Sequence, residues 1–183
     1  ADQINSMTAS IKLGGGLNPA IEGAYTDAND IFFEAASGFL IGAEINYHIS
    51  SNLALGILYH TISSDASGNI DILGFPTDVS AEESSSTFAL KFGFDPSDES
   101  GWILKGGIGY TSIDFSSKLF IAGQSIEMKS NPAGISWLLT AGYKIYFSEN
   151  ISAALEAEYL TLTETMYSYV NGEKGNKLSD SPE

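Results

Sequence analysis

The chain has 183 residues, with 23 acids against 8 lysines, no arginine and no cysteine, for a formal charge of −15. One domain fits that length; the charge repels phosphate backbones and sets nucleic-acid binding aside, and the lack of cysteine removes disulfides and cysteine metal sites. No run of about 18 apolar residues occurs, so a helical membrane span is excluded, while a strand-built span stays open.

Glycine (19) and aromatic residues (11%) are frequent beside only 5 prolines, which suits strands better than helices. The chain opens Ala1-Asp2-Gln3 without methionine, as expected of a mature chain after signal-peptide cleavage.

Alternation with a period of two recurs in seven segments of about ten residues each. The first sets Met7, Ala9, Ile11 and Leu13 against Thr8, Ser10, Lys12 and Gly14. The second sets Phe39, Ile41, Ala43, Ile45 and Tyr47 against Gly42, Glu44, Asn46 and His48. After Ser50-Ser51-Asn52, the third sets Leu53, Leu55, Ile57 and Tyr59 against Ala54, Gly56, Leu58 and His60. The fourth sets Phe88, Leu90, Phe92 and Phe94 against Thr87, Ala89, Lys91 and Gly93.

Beyond the link at 95–101, the fifth sets Trp102, Leu104, Ile108 and Tyr110 against Lys105, Gly107, Gly109 and Thr111. The sixth runs from Ile135 through Trp137, Leu139, Ala141, Tyr143 and Ile145 to Phe147, against Ser136, Thr140, Gly142 and Lys144. After Ser148-Glu149-Asn150, the seventh sets Ile151, Ala153, Leu155, Ala157 and Tyr159 against Ser152, Ala154, Glu156 and Glu158.

Charge placement interprets the pattern. Lys12, Glu44, Lys91, Lys105, Lys144, Glu156 and Glu158, together with His48 and His60, all fall on the small-residue parity. The opposite parity carries no charge, so the two faces meet different environments. A soluble barrel would crowd its polar parity with charge; glycine, alanine and sparse mixed-sign charges fit a narrow interior. Links after the second and sixth segments are about three residues and that after the fourth about seven, while the others run to roughly 20, which is the asymmetry of an up-and-down barrel in an outer membrane.

The expected assignment follows. Ile11, Phe39, Ile41, Ile45, Leu55, Ile57, Phe92, Leu104, Trp137, Leu139 and Leu155 face lipid. Tyr47, Tyr59, Phe94, Trp102, Tyr110, Tyr143 and Phe147 form interfacial girdles near strand ends. The charged set and the two histidines line a lumen, and an eight-stranded barrel is barely wide enough for its own side chains, so a closed interior is favoured over a pore. One domain spans 1–183, with long loops at about 16–37, 64–85, 115–133 and 164–183.

The stretches GAEINYHISSNLALGILYH (42–60), GGIGYTSI (106–113) and LLTAGYKIYFSENISAALEAEYLTLT (138–163) resemble the small outer-membrane β-barrels of the OmpA/OmpX-like group. That resemblance implies an all-β, up-and-down antiparallel barrel of eight strands in the bacterial outer membrane. Seven strands are readable. Asn171-Gly172 is a strong hairpin signal, yet residues 173–183 hold no alternating apolar row to close the barrel; a truncated chain is the first expected reason, ahead of a strand supplied by another chain or a strand count off by one.

Other chemistry is weaker. His48-Ile49-Ser50 resembles the His-x-Ser of a lipid A deacylase barrel, but it sits at a short turn and no third member is identifiable, so no enzyme is expected. Asp27 and Asp30 are the candidate oxygen ligands for Ca²⁺ or Mg²⁺; EF-hand spacing is lacking and a solvated acidic loop is preferred, so no metal or cofactor is expected. The segment 119–126 reads as an apolar hairpin beyond the membrane. Lipid, lipopolysaccharide and a surface or envelope protein meeting the acidic loops are the expected partners. The leading expectation is a non-enzymatic envelope scaffold or surface-contact barrel. The alternatives are a soluble or periplasmic β-barrel holding an apolar ligand, and a narrow pore.

Overall fold

Period-two alternation gives each segment two chemically distinct faces, and pairing the segments side by side segregates those faces across a whole sheet. The computed structural model describes residues 6–17, 37–72, 75–121, 124–165, 167–170 and 173–177. Among them the strands are β1 (Ser6–Leu17), β2 (Ser37–His48), β3 (Leu53–Ile72), β4 (Phe75–Phe94) and β5 (Gly101–Ile121). There follow β6 (Gln124–Ser130), β7 (Ala133–Ser148), β8 (Ile151–Thr165), β9 (Tyr167–Val170) and β10 (Glu173–Lys177).

All pairings are antiparallel. β1 to β5 are neighbours in chain order, and β5 then divides. Its lower half, Gly101–Ser112, pairs β7, which pairs β8; its upper part, Phe115–Ile121, pairs β6, which leads to β9 and β10. Proline 132 marks the division, because it lacks an N–H for the ladder. Its carbonyl still accepts the Ile113 N–H at 2.8 Å, so that donor is not lost at the break.

The sheet curls. Lys12 on β1 shares a hydrogen-bonded row with Glu164 on β8, reached through Gly42, His60, Thr87, Thr111 and Gly134. Its ion-pair partner on β8 is Glu156, eight residues lower than that row (164 − 156). With strands about 4.8 Å apart and a rise of about 3.3 Å per residue, a climb of eight residues over six steps gives a tilt of about 40°, the range of closed barrels. Among the described residues β1 pairs only β2 and β8 only β7, and the Lys12–Glu156 pair spans the seam between them.

Seven strands, β1 to β5 with β7 and β8, carry the alternating apolar face, as the sequence predicts. Three of the expected loops are corrected, while the hairpin expected at 119–126 is present as the β5–β6 pairing. The segments 64–85 and 115–133, read as loops, are largely paired strand: β3 and β4 pair out to Ile72 and Phe75, and β5 and β6 out to Ile121 and Gln124. Pairing continues there while the outward apolar row stops, so the pattern used to find strands disappears before the strands do. Part of 164–183 is likewise strand: β9 and β10 flank 171–172 and pair as Val170↔Glu173, while Asn171 and Gly172 themselves lie outside the described residues. Most of 16–37 lies outside them too, Asp27 and Asp30 included.

Candidate functional site

On the outer face all eleven side chains expected to meet lipid are exposed, from 46% at Leu55 to 84% at Leu155. The seven expected girdle aromatics are exposed on the same face, and Trp102 and Tyr143 meet edge to face at 5.3 Å. Tyr59, Phe88 and Tyr110 lie in one hydrogen-bonded row; Thr61, Ser86 and Ser112 form the next row upward.

The inner face holds the charges. Glu44 on β2 is 1% exposed and receives three ammonium groups. Lys12 lies 3.0 Å and Lys91 3.3 Å from its Oε2, while Lys105 bonds Oε1. Each lysine carries the network onward. Lys12 pairs with Glu156, and Lys91 donates to Glu158 Oε2 at 2.9 Å, where Thr140 Oγ1 also donates at 3.0 Å. Lys105 reaches Asp95 Oδ2 at 3.0 Å, and Lys144 bonds the other oxygen of Asp95.

The network is thus four lysines (12, 91, 105, 144) against four carboxylates (44, 95, 156, 158), a net charge of zero. Subtracting it from 8 lysines and 23 acids leaves 4 and 19, so the whole −15 is carried elsewhere. Desolvating an ion costs several kcal/mol, and only close pairing with further hydrogen bonds offsets that cost. The balance explains how Lys91 and Lys105 can each be 1% exposed.

Glycines make the room. A Cβ on Gly107 would sit 2.7 Å from the Leu90 carbonyl and 2.9 Å from Lys91 Cγ, so the Lys91 side chain uses the space that β5 leaves empty. A small apolar cluster, Leu58, Ala89 and Leu138 with Leu160 against it, fills the neighbouring inner surface.

The histidines take different places. His48 Nε2 lies 3.2 Å from Thr8 Oγ1. His60 Nδ1 is 3.3 Å from Glu158 Oε1 but is not aligned as a hydrogen bond. Buried Asn46 Oδ1, His60 Nε2 and Ser136 Oγ also lack partners, the setting in which internal water is ordinarily held. Ser50 Oγ, the other half of the His-x-Ser pair, accepts the Leu53 N–H at 3.1 Å and so closes the β2–β3 turn. Among the described residues no group of three His, Asp or Glu side chains is placed to hold a metal ion.

All nine predicted inward residues are on one face, and the eight side chains other than His48 join one cluster. Asp95 belongs to the cluster too, although it lies in the link at 95–101 and is not among the predicted inward residues. The signal was present: Asp95 continues the inward parity of Thr87, Ala89, Lys91 and Gly93 by one step. Burial alone raises its carboxyl, but the Lys105 and Lys144 ammoniums outweigh that and hold it below the usual carboxylate range.

No curated protein and no solved structure matches the chain. A family model does: that of the outer membrane protein beta-barrel domain, over residues 4–179.

Proposed function

The chain belongs to the outer membrane protein β-barrel domain family, and from that premise we propose that it is a non-enzymatic envelope scaffold and surface-contact protein of a bacterial outer membrane, with an interior closed to solutes. The observation that carries the closed interior is the neutral cluster around Glu44, in which Glu44, Lys91 and Lys105 are each 1% exposed. An eight-stranded barrel has room for little beyond its own side chains, and here those side chains are tied across the lumen. The exposed apolar belt supports lipid as its outer solvent and weighs against a soluble barrel with an apolar ligand inside. The strands that rise past the belt, with Asp65, Asp78, Glu82 and Asp114 exposed, support contact with lipopolysaccharide through shared divalent ions or with a surface or envelope protein.

Two measurements test this. The folded protein should require detergent and should change mobility on an SDS gel with heating; a monomer dispersed in plain buffer refutes the lipid-facing belt. In planar bilayers it should be silent, and reproducible single-channel steps would replace the closed interior by a narrow pore.

A further inference from the structure

The turn between β4 and β5, residues 95–100, is folded inward. Asp95 and Ser97 are each 1% exposed and Pro96 is buried, while Asp98, Glu99 and Ser100 are exposed. A polar connection at a sheet end ordinarily lies wet on the surface. This one is fastened on both sides. The Asp95 N–H donates to Asn52 O and the Ser97 N–H to Ser51 O, both at 2.9 Å, which ties it to the β2–β3 turn.

Toward β7, the Tyr146 hydroxyl lies within donating distance of two carbonyls, Pro96 O at 3.2 Å and Ser97 O at 2.8 Å. The Lys144 ammonium donates to Pro96 O at 3.1 Å and bonds the Asp95 carboxylate. At the start of β5, a Cβ on Gly101 would come 3.2 Å from Pro96 Cγ, so the proline ring occupies the inner surface at the sheet end. One turn therefore reaches from the β2–β3 turn to β7 and places three buried residues in the mouth between them.

We propose that the β4–β5 turn is a stopper that seals the short-turn mouth of the barrel, fastened by the Asp95 carboxylate and the Tyr146 hydroxyl. The stopper rests on the reading of the interior as a barrel lumen and adds where that lumen is shut. It is joined to the pairing around Glu44 through Lys105, which bonds both carboxylates, but it closes the end of the lumen, and it blocks entry even where the lumen above holds water.

The test uses the absence of cysteine. Ala54 is 0% exposed on the inner face of β3, two residues from Asn52, and Ala54→Cys adds a single sulfur atom there. Folded protein in detergent micelles, checked by its heat-dependent gel mobility, is treated with a charged, water-soluble methanethiosulfonate reagent. Ser148→Cys, exposed at the end of β7, sets the unprotected rate. Ala54→Cys should label far more slowly than Ser148→Cys. Adding Asp95→Ala or the milder Tyr146→Phe should each speed labelling by about tenfold, through easier local opening.

Labelling of Ala54→Cys as fast as Ser148→Cys overturns the stopper, as does unchanged protection in both release variants when they are folded. Conductance keeps the two readings apart. Channel steps from a barrel whose Ala54→Cys stays protected overturn the closed interior and leave the stopper standing. Silence with a freely labelled Ala54→Cys overturns the stopper and leaves closure at Glu44.

Discussion

The same three strands behave as two different proteins along their length. Up to the row Tyr59, Phe88 and Tyr110, the outward side chains of β3, β4 and β5 are apolar and exposed, and the inward ones are small, polar or charged apart from Leu58 and Ile103. Past it the outward chemistry inverts. Ser63, Asp65, Glu82, Ser84 and Asp114 now point outward and are exposed, while the inner side mixes buried Val79 and Ala81 with buried Ser64, Glu83 and Ser85. No strand breaks at the crossing, and the register of β3 with β4 runs through it unshifted. The difference teaches that the sheet is indifferent to its surroundings, because backbone pairing is satisfied either way, and that side-chain parity alone records which solvent each face meets.

Mutations can break the comparison. The largest effect is expected inside the barrel: Glu44→Ala takes the shared carboxylate from three lysines, leaving Lys12, Lys91 and Lys105 with one carboxylate each, and should cost about 3–5 kcal/mol of folding stability, whereas Glu127→Ala, whose pair with Lys129 is exposed, should cost about 0–1 kcal/mol. Urea titration of folding into detergent micelles or lipid vesicles measures both. Next comes the belt. Ile57→Lys, outward and 48% exposed, should lose about 2–4 kcal/mol in vesicles. Ser84→Lys, outward on the neighbouring strand but above the crossing, should stay within about 0.5 kcal/mol. Equal costs at the two sites would erase the inversion.

A pH titration sharpens the contrast further. The Asp95 carboxyl is held below its ordinary value of 3.8, so its contribution to stability is full above about pH 4 and is lost as pH falls through the lowered value. Asp95→Asn should therefore be less stable than the parent at pH 7, and the gap should narrow below about pH 4. Unfolding midpoints in urea at neutral and acid pH give the comparison. A gap of constant size would mean that Asp95 is not the carboxylate being protonated. Gly107→Ala tests packing without any change of charge: the added methyl presses on the Leu90 carbonyl and Lys91, a loss of about 1–3 kcal/mol read from the same urea titration.

How much of this was legible beforehand follows from the same inversion. Within the belt, alternation and charge parity placed Lys12, Glu44, Lys91, Lys105, Lys144, Glu156 and Glu158 on one face, because hydrocarbon tolerates no charge opposite them. Their pairing was not legible. Which lysine meets which carboxylate depends on register and tilt, as Lys12 reaching Glu156, eight residues below its own row on β8, demonstrates. Above the belt, sequence rules tuned to a lipid-facing row stopped at Tyr59 and Tyr110 and called the remainder loop. Asp95 escaped for another reason: the stretch Asp95-Pro96-Ser97-Asp98 has the composition of a wet turn, and only its contacts with Asn52, Lys144 and Tyr146 fold it inward.

The aromatic row directly beneath the hydroxyl row also works as a waterline. Lifting the barrel by one row would draw Tyr59, Phe88 and Tyr110 toward water, and sinking it by one would drown Thr61, Ser86 and Ser112 in hydrocarbon. The molecule consequently has a fixed draught, and where the surrounding bilayer is too thick or too thin it is the lipid that must deform. Such a hull would collect where the membrane already has the matching thickness, giving it a lateral address set by elasticity and requiring no binding partner.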